Sequence, residues 1–122
     1  MKKMFYYTDV LPFLSRKEAA IEKLKRNLEI FKGADQDIHL IWHPWSKTAQ
    51  YLELNRSKVT EEYNEVVRQF VSEGWGELDE AATFQEAKEV MLGCDAYYGD
   101  VSDLAYEAQI AKIPVMLQNF DV

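Results

Sequence analysis

The chain has 122 residues, of which 48% are hydrophobic and 29% charged, and its formal net charge is −7. That length accommodates one domain with a real core, burying about two-thirds of the unfolded surface, and the balance of residues excludes a disordered chain. The negative charge works against nucleic-acid partners, no apolar run nears the roughly 20 residues of a membrane span, and a single cysteine, Cys94, leaves no internal disulfide framework.

With two histidines in the chain, no metal cluster is expected. The opening Met1-Lys2-Lys3 is basic, but the apolar stretch Met4 to Tyr7 is too short for a signal-peptide core, so the cytoplasm is the expected location.

Met4 to Thr8 is a continuous apolar and aromatic run, which predicts a short strand buried on both faces, and Leu11-Pro12 then breaks it. Ser15-Arg16-Lys17-Glu18 has capping-box spacing, with Ile21, Leu24, Leu28 and Phe31 following at helical spacing until Gly33. Lys17, Lys23, Lys25, Arg26 and Lys32 alternate along that helix with Glu18, Glu22 and Glu29. Such a mixture reads as a solvated face rather than a binding patch. Asp37 to His43 is the second predicted strand, ended by Pro44. His43 at its carboxyl end would face the crevice where parallel sheets bind ligands, whereas His39 lies mid-strand.

Residues 45 to 58 lack a clear period and read as a loop with one helical turn. Glu61 to Glu73 carries Tyr63, Val66, Val67, Phe70 and Val71 on one helical face, and Gly74-Trp75-Gly76 ends it. A short strand near Glu77 to Asp79 follows. Thr83-Phe84-Gln85-Glu86 again has capping-box spacing, ahead of a third helix. The last stretch, Asp95 to Asn119, reads as strand, Gly99-Asp100 turn, helix and a final strand over Pro114 to Gln118.

That last turn is the most informative part of the sequence. Gly99 allows a sharp reversal, and Asp100 and Ser102 can each accept the unpaired N–H groups of the helix that follows. Left uncapped, the same N–H groups can hold an anion. Both readings, an ordinary capped turn and a phosphate site, are open on spacing alone. The full order alternates strand and helix through five strands, which predicts an α/β domain: a Rossmann-like, three-layer fold with a parallel sheet. The chain contains neither G-x-G-x-x-G nor a P-loop, so generic dinucleotide and nucleoside-triphosphate readings are poor.

Two islands resemble a known family. The first is Ile38 to Pro44, a strand ending in His43-Pro44; the second is Cys94 to Asp103 followed by Ile113 to Asn119. They are similar to the C-terminal half of CDP-glycerol glycerophosphotransferase-like proteins, whose fold is of the GT-B type. The resemblance implies the strand order 3-2-1-4-5, with the chain as one domain over 1–122. It also implies that the domain is the nucleotide-binding half of a longer transferase and inactive alone, its N-terminal half being the missing partner. The donor would be a nucleotide diphosphate such as a CDP-alcohol or a nucleotide sugar, and the whole protein could act at a membrane surface. No dissociable cofactor or metal is implied.

By that resemblance Ser102 and the backbone N–H groups of Ser102 and Asp103 would hold the diphosphate, and Asp100 would shape the turn after Gly99. His43 would supply the basic or charge-stabilising group, and Thr8 would face Gly99 across the switch point. Asp103 stands where the family has a second serine or threonine. Two other classes fit the alternation of elements: a receiver-like signalling domain, and an interaction domain whose site has decayed. The receiver reading wants an acidic cluster after the first strand and a lysine after the fifth, where this chain has Asp9 and Gln118-Asn119.

Overall fold

A computed structural model of the protein describes residues 1–118; Asn119, the last residue of the second island, and residues 120–122 lie outside the described residues. The elements run β1 (Lys2–Thr8), α1 (Leu11–Arg16), α2 (Glu18–Gly33), β2 (Ile38–Pro44), α3 (Thr48–Leu54), α4 (Thr60–Glu73) and β3 (Glu77–Leu78). They continue with α5 (Phe84–Leu92), β4 (Ala96–Gly99), α6 (Asp103–Ile110) and β5 (Val115–Leu117). The five strands form one sheet in the order β3-β2-β1-β4-β5, with every pairing parallel. This is the expected Rossmann-like order. Receiver-like domains are wound 2-1-3-4-5, so this sheet reverses direction at a different place, between β1 and β4.

Strand alternation divides the core in two. Tyr6, Leu40 and Trp42 point to the side covered by α1 to α4, where they meet Ile21, Leu24, Tyr63 and Phe70. Phe5, Tyr7, Ile41 and Tyr97 point to the other side, against Ala87 and Met91 of α5 and Leu104, Ala105 and Ala108 of α6. Tyr6 and Trp42, and Phe5 and Tyr97, stack across neighbouring strands. The aromatic run at the start of the chain thus serves both layers.

Two expectations on the helices are corrected. The Ser15 capping box does not form: Ser15 lies inside α1 and donates to the Leu11 carbonyl oxygen, and α2 starts after Lys17 with no side-chain cap. The break expected at Leu11-Pro12 is there, since β1 ends at Thr8, and Pro12 sits in the first turn of α1, where its missing N–H would have had no partner anyway. The stretch read as a loop contains α3, which buries Thr48 and Leu52. At the second such pattern Thr83 does cap α5, accepting from the Glu86 N–H, while its hydroxyl rather than its backbone N–H donates to the Glu86 carboxylate.

Thr8 is 2% exposed and accepts a hydrogen bond from the indole N–H of the fully buried Trp42 at 3.0 Å. By alternation it faces the α2 side with Tyr6. The Thr8→Val variant keeps the shape of the side chain but orphans that N–H, and is expected to cost about 1–3 kcal/mol in urea unfolding. A loss well below that range would mean the indole finds another acceptor.

Candidate functional site

The carboxyl ends of β1, β2 and β4 meet the first turns of α5 and α6 around a crevice of about 210 Å³. Its walls include Tyr7, His43, Trp45, Thr83, Ser102 and Asp103. His43 and the turn after β4 therefore share one rim, as parallel winding requires. Both lining helices start with a capping hydroxyl, Thr83 for α5 and Ser102 for α6, so two positive helix ends open on the same small space.

His43 is 4% exposed, and its ring stacks against Phe5 at 5.6 Å and Tyr7 at 5.9 Å. Nδ1 lies 3.0 Å from Oδ2 of Asp79, and both atoms are buried with no well-aligned hydrogen bond to anything described. Asp79 is held there by its own N–H, which donates to the Trp42 carbonyl oxygen just after β3. A bare Nδ1 lone pair so close to a carboxylate would be repelled, so the proton of the neutral ring belongs on Nδ1. Nε2 then keeps its lone pair, and His43 is among the residues that line the crevice. Burial pushes the His43 pKa below the ordinary histidine range, and the Asp79 carboxylate pulls it part of the way back. The pair consists of a neutral imidazole with a carboxylate behind it.

Ser102 is placed as expected, but its hydroxyl is already committed. Tyr97 Oη–H donates to the Asp100 carbonyl oxygen at 2.6 Å, which uses the phenol's only proton. Ser102 Oγ–H must then be the donor in its 2.9 Å contact with Tyr97 Oη, while Ser102 Oγ accepts from the Ala105 N–H. A ligand anion would gain little from this hydroxyl. The donors left are backbone: the N–H groups of Ser102, Asp103 and Leu104 meet no acceptor among the described residues. Asp103 lines the same crevice, near enough for its negative charge to act on the Tyr7 phenol, and so opposes an anion there.

Asp100 does not cap α6. It turns toward the other side of the switch point, where one oxygen accepts from the Asp9 N–H at 2.7 Å and the other from Gln118 Nε2 at 2.6 Å. Gln118 in turn accepts from Asn27, whose amide also donates to Tyr6 Oη. Burial raises the Asp100 pKa, and these hydrogen bonds hold it back. Gly99 sits between the two loops with φ +143°, and a Cβ built there would lie 2.1 Å from the Tyr7 carbonyl oxygen.

Of the six residues singled out in the sequence, His43, Ser102 and Asp103 meet at the crevice. Gly99 and Asp100 shape the turn that presents α6, and Thr8 is held by Trp42 away from it. Tyr97 is buried in the core, as a mid-strand tyrosine is expected to be, and Asp79 escaped the sequence reading. Asp79 follows a two-residue strand, so only the β2–β3 register, Trp42 beside Leu78, brings it to His43. Among the described residues no group of three or more His, Cys, Asp or Glu could hold a metal, and no helix is long and apolar enough to cross a membrane. Comparison with known proteins gives no match to a family model, a curated protein or a solved structure.

Proposed function

We propose that this crevice takes the diphosphate of a nucleotide-linked donor, a CDP-alcohol or nucleotide sugar. The chain would then be the donor-binding half of a glycerophosphotransferase-like or glycosyltransferase-like protein of GT-B type. The observation that carries the reading is the convergence of two capped helix starts and His43 on one opening at the carboxyl edge of the sheet. About 210 Å³ is below the usual range for a whole drug-sized ligand, so the crevice suits a pyrophosphate, with the nucleoside lying outside near Trp45 and Phe84. In a complete transferase the acceptor would come from the other half, and His43 Nε2 would accept a proton or a hydrogen bond beside the phosphorus.

Calorimetric titration of CDP-glycerol, CDP, CMP and UDP into the protein tests this. Heat with at least one of them, lost in His43→Ala with the fold intact, is the expected result. No heat with any of the four would overturn the proposal and favour a domain without a nucleotide site.

Asp103 gives a second check. Its carboxylate is unfavourable to an anion in the crevice but favourable to the start of α6. Asp103→Asn is therefore expected to tighten nucleotide binding by about three- to tenfold while costing about 0.3–1 kcal/mol of stability. Unchanged or weaker binding would place the phosphates elsewhere.

A further inference from the structure

We infer that the free edge of β5 is a self-association surface: two copies of this chain pair antiparallel along Val115 to Leu117, about a two-fold axis at Met116, and join their sheets into one. The inference is independent of what the crevice binds.

β5 is the last strand on its side of the sheet, with β4 as its one neighbour among the described residues. The Tyr97 N–H donates to the Pro114 carbonyl oxygen and the Gln118 N–H to that of Gly99, so the backbone groups at 114, 116 and 118 face β4. Those of Val115 and Leu117 therefore point away from the sheet, spaced as a partner strand requires. Pro114 does not blunt this edge, because its missing N–H is on the β4 side. Ile113 to Gln118 carries no charge, whereas the opposite edge, β3, is two residues long and presents the exposed Glu77. Edge strands are ordinarily guarded by charge or by shortness, and a charge guards only the β3 edge.

Geometry selects a second copy as the occupant. With Met116 opposite its own counterpart, Val115 of each copy faces Leu117 of the other, each such pair exchanges both N–H···O bonds, and every outward backbone group of the two segments is used. Centring the axis on Val115 would instead set Leu117 against Ile113, whose N–H already donates to the Ala108 carbonyl oxygen. Centring it on Leu117 would carry Val115 past the end of the partner's β5.

The side chains agree with this register. Trp42, Tyr6, Tyr98 and Met116 form one row across β2, β1, β4 and β5, and the row ends at Met116, which is 66% exposed. Across the axis the two Met116 side chains meet at a non-hydrogen-bonded position, where cross-strand neighbours come closest. The row then runs unbroken from one Trp42 to the other. At −7 per copy, most approaches of two copies are repulsive, and an uncharged edge is where they meet at least cost. With Leu117 also exposed, the paired edges bury about 500 Å² on each copy, near the low end for specific interfaces, which gives a dimer that assembles at tens of micromolar.

Sedimentation velocity of the whole chain from about 5 to about 500 μM tests this. The average mass is expected to rise toward twice that of one chain and no further, because an isologous contact closes. Met116→Lys and Met116→Glu, at an exposed position and with urea midpoints near wild type, should each stay monomeric, since like charges then oppose across the axis. Mixed in equal amounts they should form a heterodimer, at least about fivefold tighter than either variant's self-association. Wild type that stays monomeric throughout would overturn the inference. So would a dimer that survives in both variants, which puts the interface elsewhere, or a mixture as monomeric as its components.

Discussion

Replacing Gly99 by alanine is expected to be the most damaging single change in the chain, costing about 3–5 kcal/mol of a total stability of about 5–15 kcal/mol. Two independent penalties coincide there. The backbone at φ +143° is one that L-residues rarely adopt, and the new Cβ would overlap the Tyr7 carbonyl oxygen at 2.1 Å. Relief requires moving β4 away from β1, and the Asp100 N–H donates to that same Tyr7 oxygen. The turn that presents Ser102 and Asp103 to the crevice would shift with it. A urea midpoint falling by most of the wild-type stability, or failure to fold, is the predicted outcome. A Gly99→Ala protein within about 1 kcal/mol of wild type would show that the approach of the two strands is far looser than described.

The His43–Asp79 pair carries the second large effect, and its sign follows from linkage. Because the native-state pKa of His43 is lowered, the unfolded chain takes up the proton first as pH falls below about 6.5. Stability from the neutral ring is complete above that pH and is lost as pH falls toward the lower native value. The stability advantage of wild type over His43→Gln, followed by denaturant unfolding from about pH 8 to about pH 5, should therefore shrink on acidification. Taking the difference between the two proteins removes the opposite contribution of Asp100, whose raised pKa makes the native state the tighter proton binder. An advantage that held level or grew would contradict a buried neutral imidazole. Asp79→Ala should cost about 1–3 kcal/mol by leaving Nδ1–H buried without its carboxylate, and should push the His43 titration lower still.

Much of the frame was legible because it depends on local pattern. The aromatic run at Met4 to Thr8 can only be a buried strand, Pro44 closes the strand that carries His43, and Thr83 and Ser102 each sit three residues before the N–H they accept. Misreadings arose where tertiary placement overrode local signal. Ser15, in a capping-box pattern, was drawn into α1. Asp100 looked like a cap because it is two residues from Ser102, but its partner, the Asp9 N–H, lies on the neighbouring strand's loop. The period-two rule places Thr8 on the same face as Tyr6 and opposite Tyr7, and so turns it away from the crevice.

The contacts around the crevice that local pattern does not show share one cause. Asp79 and Tyr97 act only through contacts made after the sheet is assembled, the first across β2 and β3, the second back onto the turn that follows its own strand. No spacing in the sequence announces either.

The proposed donor site requires that a nucleotide diphosphate touch the protein at the carboxyl edge of the sheet. Backbone amide NMR during titration with CDP-glycerol measures this directly. The amides of Ser102, Asp103 and Leu104, with the His43 ring, should shift together and saturate at one affinity. Shifts confined to another surface, such as the α2–α4 groove lined by Lys25, Phe70 and Trp75, or no shifts at all, would contradict it.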